Sequence, residues 1–165
     1  MLDGLVDLRR DTTYVTVSNT IFSEHNKAFG IGWTQNVTAQ VTINDCWFNN
    51  TSARNPSADN LDMVHLYNNY FFNLTSYGTY SRGHANMLAE RNYYEMVHDP
   101  LVAGPNSTIR SNWNKFKHCT GDIMENVRPD EVFKATDYYE YSLRDPYDVP
   151  NDIMSAAGPR EEIGS

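Results

Sequence analysis

Cysteine, cationic side chains and long apolar runs are all scarce in this chain. Its two cysteines, Cys46 and Cys119, allow one disulfide at most. Cys46 lies among apolar residues of an alternating segment, where a buried free thiol is expected, and bridging to Cys119 would require Cα atoms within about 7 Å; both are read as free. Lys and Arg number 13 against 21 acidic residues, a net charge of −8, so the basic surface that nucleic-acid binding needs is missing. No apolar run approaches the length of a membrane span, and mean hydropathy is −0.60, which excludes a spanning helix and points to a soluble protein. At 165 residues one core is feasible, since a chain of this size buries roughly two-thirds of its unfolded surface.

What is present is a repeat. Val15-Thr16-Val17-Ser18-Asn19, Val41-Thr42-Ile43-Asn44-Asp45, Val64-His65-Leu66-Tyr67-Asn68 and Met87-Leu88-Ala89-Glu90-Arg91 alternate apolar and other residues. Each is followed by a bulky pair: Ile21-Phe22, Trp47-Phe48, Tyr70-Phe71 and Tyr93-Tyr94. A fainter copy runs from Ser107 to Phe116, so the starts at 15, 41, 64, 87 and 107 are spaced by 26, 23, 23 and 20 residues. Such periods fit the coils of a parallel β-solenoid, and the period-two alternation with β-branched and aromatic residues argues for strands. Asn69, Asn92 and Asn112 are expected to stack from coil to coil, their amides bonding where the strand ladder stops. A β-sandwich with Asn-rich turns is the alternative, disfavoured because no Asn-Gly or Asp-Gly hairpin signal separates successive strands.

Charge divides the chain. Residues 121–165 hold 11 acidic and 4 basic residues, leaving residues 1–120 nearly neutral. The expected organisation is therefore a solenoid over 1–120 carrying a groove, with an acidic, irregular tail over 121–165 packed on it. Within the first part, Asp3 and Asp7 are an even number of residues apart, so on an extended strand they would offer two hard oxygen ligands from one face to a divalent cation.

The motifs in order resemble the pectate lyases of polysaccharide lyase family 1. Asp3-Gly4-Leu5-Val6-Asp7 is similar to that family's Asp-Gly-Leu-Ile/Val-Asp segment, and Phe22-Ser23-Glu24-His25-Asn26-Lys27 to its Phe-Ser-x-His-Asp-Lys. Ala53-Arg54-Asn55-Pro56 stands where the family has Gln-Arg-x-Pro-Arg-x-Arg; Val64 to Phe71 resembles Val-His-Val-Tyr-Asn-Asn-Tyr-Tyr; Tyr80-Ser81-Arg82-Gly83 resembles Ser-Arg-Met-Gly. The tail, from Tyr141-Ser142-Leu143 through Val149-Pro150 to Ala156-Ala157-Gly158, is also similar. The resemblance implies an all-β, right-handed parallel β-helix and a calcium-dependent lyase acting on polygalacturonate. It implies Arg54 as catalytic residue and proton abstractor, Lys27 and Arg82 as binders of substrate carboxylates, and Asp3 and Asp7 as calcium ligands. Secretion follows from the resemblance alone, because no signal peptide is read here. Five Asn-x-Ser/Thr sites, at Asn36, Asn49, Asn50, Asn73 and Asn106, add little, since Asn and Thr are common at solenoid turns.

Elimination from a uronate removes the proton at C5, next to a carboxylate whose charge opposes a carbanion. Calcium held between protein and substrate carboxylates would offset that charge. An Arg base is unusual, because guanidinium is protonated in proteins, and Arg54 would serve equally as a fixed cation beside the developing charge. His25, Trp33 and Tyr70-Phe71-Phe72 are read as packing, although an aromatic at the groove could stack on a sugar ring. Two departures from the family pattern stand out: Ser57 and Asp59 occupy positions where it has arginines, and the family's N-terminal half, which the resemblance implies would add a further acidic calcium ligand, is not matched. They favour a competing reading, a non-catalytic solenoid that binds pectic polymer or an inactive truncated homologue that retains the fold. A hydrolytic β-helix enzyme such as a polygalacturonase, which works with clustered aspartates, is a weaker third, since no Asp-Asp pair occurs. The match covers only the C-terminal half of a usual family member, without its N-terminal coils and cap. An open coil end is a template for association, so a homo-oligomer is expected, with Asp3 and Asp7 near the subunit boundary.

Overall fold

A computed structural model describes residues 3–159; the last six residues of the acidic tail lie outside the described part. The chain winds through five coils, each contributing one strand to each of three sheets. Sheet 1 contains β1 (Val6–Arg9), β4 (Phe29–Gly32), β7 (Ser57–Asp59), β10 (Thr79–Arg82) and β13 (Leu101–Ala103). Sheet 2 contains β2 (Val15–Ser18), β5 (Ala39–Asn44), β8 (Leu61–Tyr67), β11 (Asn86–Glu90) and β14 (Thr108–Asn112), with β16 (Asn126–Val127) added antiparallel to β14. Sheet 3 contains β3 (Ile21–Ser23), β6 (Trp47–Asn49), β9 (Tyr70–Leu74), β12 (Tyr93–Val97) and β15 (Lys115–Lys117). All other pairs are parallel, giving the right-handed parallel β-solenoid that the repeat period and the usual crossover hand lead one to expect.

Alternation explains the core. The second residue of each bulky pair points inward, and Phe22, Phe48, Phe71, Tyr94 and Phe116 stack with ring centroids 4.7, 4.9, 4.4 and 5.2 Å apart. Against this column sheet 2 sends Val41, Ile43, Val64, Leu66, Met87 and Ile109, while sheet 1 sends Ile31 and Ala58, all buried. Cys46 is buried, Cys119 partly so, and both are free thiols; burial pushes the Cys46 thiol up to about 12.

The amide ladder exists, but its third member differs from the expectation. Asn69 Oδ1 accepts the Cys46 N–H at 3.0 Å, Asn92 Oδ1 accepts the Asn69 N–H at 3.0 Å, and Asn114 Oδ1 accepts the Asn92 N–H at 2.8 Å. Asn112 instead pairs in register with Glu90. The fifth repeat thus begins at Ile109, the partner of Met87, rather than at Ser107: the buried carboxamide sets the register where the apolar alternation is faint.

After the coils, Val132 and Ala135 are buried against Leu88 of sheet 2. The tail is less irregular than expected, for α1 (Val149–Ala156) buries Val149 and Ile153 against Tyr70 of sheet 3. Pro150 in its first turn suits a helix start, where the missing N–H has no partner to lose.

Candidate active site

Because strand residues alternate, burial of Ile31, Ala58 and Ser81 turns their neighbours to the outer face of sheet 1. Two rows run across the coils there. Asp7, Gly30, Ser57 and Tyr80 form one; Arg9, Gly32, Asp59 and Arg82 form the other, with Gly32 and Asp59 following in step from the Ile31–Ala58 pair. Of the sequence candidates, Asp7 and Arg82 stand in these rows, on the first and fourth coils.

Arg54 reaches it through a bulge. The bridge from Lys27 to Ala53 spans 26 residues, whereas Gly30 pairs with Ser57, 27 residues on. One additional residue is therefore fitted into the third coil, and Arg54 takes a left-handed backbone, φ 61°, at a cost of roughly 1–2 kcal/mol for an L-residue. Its guanidinium Nη1 comes to 3.6 Å from Asp7 Oδ1, too far for a hydrogen bond. Asp7 Oδ2 accepts the Gly4 N–H at 2.9 Å. Asp7 Oδ1, Arg54 Nη1 and Ser57 Oγ are all buried without a hydrogen-bond partner. Three orphaned polar atoms on one face are what a site built for a charged ligand would present.

Asp3 does not share a strand with Asp7. It precedes β1, so alternation along a strand does not align the two carboxylates; Asp3 is exposed and pairs with Arg9, Oδ1 to Nη2 3.0 Å. The Asp7 side chain is 13% exposed, that of Asp3 66%. Among the described residues no group of three or more His, Cys, Asp or Glu could hold a metal. The donor chemistry still fits a hard cation, with Asp7 Oδ1 free of hydrogen bonds and Asp3 reachable from solvent; two carboxylates fill only part of the six to eight oxygens calcium takes.

Lys27 bridges to Ala53, the residue before Arg54, so its backbone lies one coil away from the Arg54 bulge. Arg82 is exposed at the far side, its guanidinium 5.3 Å from the Tyr80 ring centroid and its backbone in register with Asp59. Among the described residues neither cation is paired with a carboxylate, unlike Arg9 and Arg54. Arg54, Asp7, Asp3 and Arg9 form one cluster; Lys27 precedes β4 on the second coil, between the coils of Asp7 and Arg54, and Arg82 ends β10 on the fourth.

Trp33 is the residue that the packing expectation misplaces. Its ring carries the Arg54 guanidinium at 4.6 Å and that of Arg9 at 5.1 Å, and it lies over Gly30. The local signal was Gly30-Ile31-Gly32-Trp33: glycine at both outward positions of a strand leaves bare backbone for an aromatic beside it.

A cavity of about 370 Å³ lies elsewhere, over sheet 2, bordered by Thr42, His65 and Tyr139. There His65 Nε2 meets Glu90 Oε2 at 3.1 Å, and the Tyr141 hydroxyl donates to the same oxygen at 2.6 Å. Burial alone would raise the Glu90 carboxyl, but hydrogen bonds from His65, Tyr141 and Asn112 outweigh it and hold it down at about 2. None of these residues touches the sheet 1 cluster through any hydrogen bond described, so the network reads as the mooring of the tail.

A family profile described as pectate lyase matches residues 1–157. The chain is 32% identical over 162 residues to a probable pectate lyase A of Aspergillus flavus, covering 94% of this chain and 48% of that protein. It is 31% identical over 165 residues to a pectate trisaccharide-lyase of Bacillus licheniformis, covering 94% and 46%. The chain thus spans about half the length of the curated relatives it matches. Its fold is shared with pectate lyase II of Xanthomonas campestris, TM-score 0.80 at 22% identity over 95% of this chain and 52% of that one. It is shared also with a Bacillus pectate lyase in complex with trigalacturonate, TM-score 0.76 at 21% identity over 94% and 52%.

Proposed function

Given that the chain belongs to the pectate lyase family, we propose that it cleaves α-1,4-linked polygalacturonate by calcium-dependent β-elimination to 4,5-unsaturated oligogalacturonides. The observation that supports this most is the Asp7–Arg54 pair on the outer face of sheet 1, with both facing atoms lacking hydrogen bonds.

In this reading the polymer lies across the coils of sheet 1, and Lys27 and Arg82 bind its carboxylates. Arg54 faces the C5 proton and the negative charge that its removal develops. Arg54, acting as base in its unprotonated form, takes the C5 proton; the C5–H electron pair becomes the C4–C5 double bond, the C4–O bond breaks, and the glycosidic oxygen takes a proton from solvent water as it leaves. Asp7 and Asp3 would hold calcium, which supplies Lewis-acid neutralisation of the uronate charge. Asp7 also orients Arg54, and the buried setting of both strengthens their attraction relative to water. The test is ultraviolet absorbance of the unsaturated product on polygalacturonate, with calcium and then with chelator.

Asp59 favours the second reading. It faces outward in register with Arg82, so it would repel a substrate carboxylate there, and a folded protein that binds polygalacturonate without forming unsaturated product would select a binding solenoid. A polymeric substrate argues for action outside the cell. β1, β2 and β3 pair on one side only among the described residues. That edge would accept a further coil or a second copy of the chain, and light scattering would report a homo-oligomer.

A further inference from the structure

We propose that Trp33 is a positioning residue that holds the Arg54 guanidinium at the outer face of sheet 1; the proposal rests on the role given to Arg54 above. The backbone is the first observation. Where the chain leaves sheet 1, successive coils place Arg10, Trp33, Asn60 and Gly83 in the left-handed region, φ 58°, 59°, 58° and 57°. The left-handed turn thus belongs to the coil rather than to Trp33, and what it does here is fix the direction in which the Trp33 side chain leaves the backbone.

The ring's resting place is the second. A Cβ at Gly30 would lie 2.2 Å from Trp33 Cη2 and 2.6 Å from Asp7 Oδ1. Only glycine admits the indole at this height, against the carboxylate that faces Arg54. The left-handed turn sends the ring back over its own strand, and Gly30 receives it.

The two guanidinium groups are the third. Both arginines over the indole, Arg54 at 4.6 Å and Arg9 at 5.1 Å, also pair with an aspartate, Asp7 and Asp3 respectively. Those aspartates are the residues proposed to hold calcium. A carboxylate drawn to a divalent cation gives up much of its hold on an arginine, whereas an uncharged π face does not compete for the metal and keeps its attraction for a planar guanidinium. Trp33 is therefore the contact that retains Arg54 in place when the carboxylates are engaged.

The experiment labels arginine side chains with nitrogen-15 and identifies the Arg54 Nε–H resonance by its loss in Arg54→Lys. In the unsubstituted chain that resonance should be displaced by the indole ring current; Trp33→Leu should move it towards the position of free arginine, with and without calcium, and Trp33→Phe should keep part of the displacement. On polygalacturonate, Trp33→Leu should lower kcat by about tenfold or more while KM stays within about twofold, with Trp33→Phe recovering much of the loss. Added to Arg54→Lys, Trp33→Leu should cost less than about twofold further. A folded Trp33→Leu with unchanged kcat, or an Arg54 resonance indifferent to residue 33, would overturn the proposal. If the unsubstituted chain forms no product, the lyase reading fails, and the resonance alone decides whether Trp33 holds Arg54.

Discussion

Asp7 Oδ1 and Arg54 Nη1 face each other at 3.6 Å, and neither atom makes a hydrogen bond. They come from the first and third coils of the solenoid and meet because the bulge before β7 throws Arg54 outward across Gly30. A pair this close, yet not closed into a hydrogen bond, leaves both groups available to a third charged partner.

Replacing Arg54 tests that availability. Arg54→Ala should lower turnover by about two orders of magnitude or more, the scale for removing a positioned acid-base or charge-stabilising group. Arg54→Lys keeps the charge but loses the planar fork and should also fall well below the unsubstituted rate. Steady-state kinetics on polygalacturonate checks both; near-normal turnover in Arg54→Ala would move the chemistry elsewhere.

Lys27 and Arg82 are expected to act on binding. Lys27→Ala and Arg82→Ala should each raise KM several-fold and change kcat less, the pattern for a contact made equally in ground and transition states. A fall in kcat at constant KM would place either residue in the reaction itself.

Much of the solenoid was legible because its physics is local and periodic. Val15, Val41, Val64 and Met87 carry the alternation that makes strands, and the following Phe22, Phe48, Phe71 and Tyr94 fill the interior in step. The fifth coil was displaced by two residues because Ser107 and Thr108 blur the alternation, and only the buried position of Asn114 restores the count. Helix α1 was missed because eight residues show too little periodicity to stand out. At the site, Arg54 and the carboxylates were read through motif resemblance. The hold of Trp33 on Arg54 was not, since it depends on a left-handed turn and on bare backbone at Gly30, features expressed only when neighbouring coils are stacked.

The amide ladder should matter more than surface asparagines. Asn92 Nδ2 donates to Leu66 O at 3.0 Å and to Asn114 Oδ1 at 2.9 Å, while its Oδ1 accepts from Asn69. Asn92→Ala would strand several buried groups and should cost about 3 kcal/mol or more in denaturant unfolding. Asn73→Ala, which removes an exposed bond to Asn50 at a left-handed position, should cost about 1 kcal/mol.

Acid should loosen the mooring of the tail. The Glu90 carboxyl lies at about 2 when folded, below its ordinary 4.5. Because the folded value is the lower one, its contribution to stability is complete above about pH 4.5 and is lost as pH falls towards 2. Glu90→Gln should flatten the stability profile across that window and leave a less stable protein at neutral pH. An unchanged acid limb would show that other carboxylates govern it.

The central claim, elimination at the Asp7–Arg54 face, is tested most directly by the appearance of unsaturated product. Folded protein with polygalacturonate and calcium should show ultraviolet absorbance rising with time, chelator should stop it, and restored calcium should start it again. Absorbance that grows equally in chelator would contradict the calcium role, and no growth under any condition from protein shown to be folded would contradict the lyase reading itself.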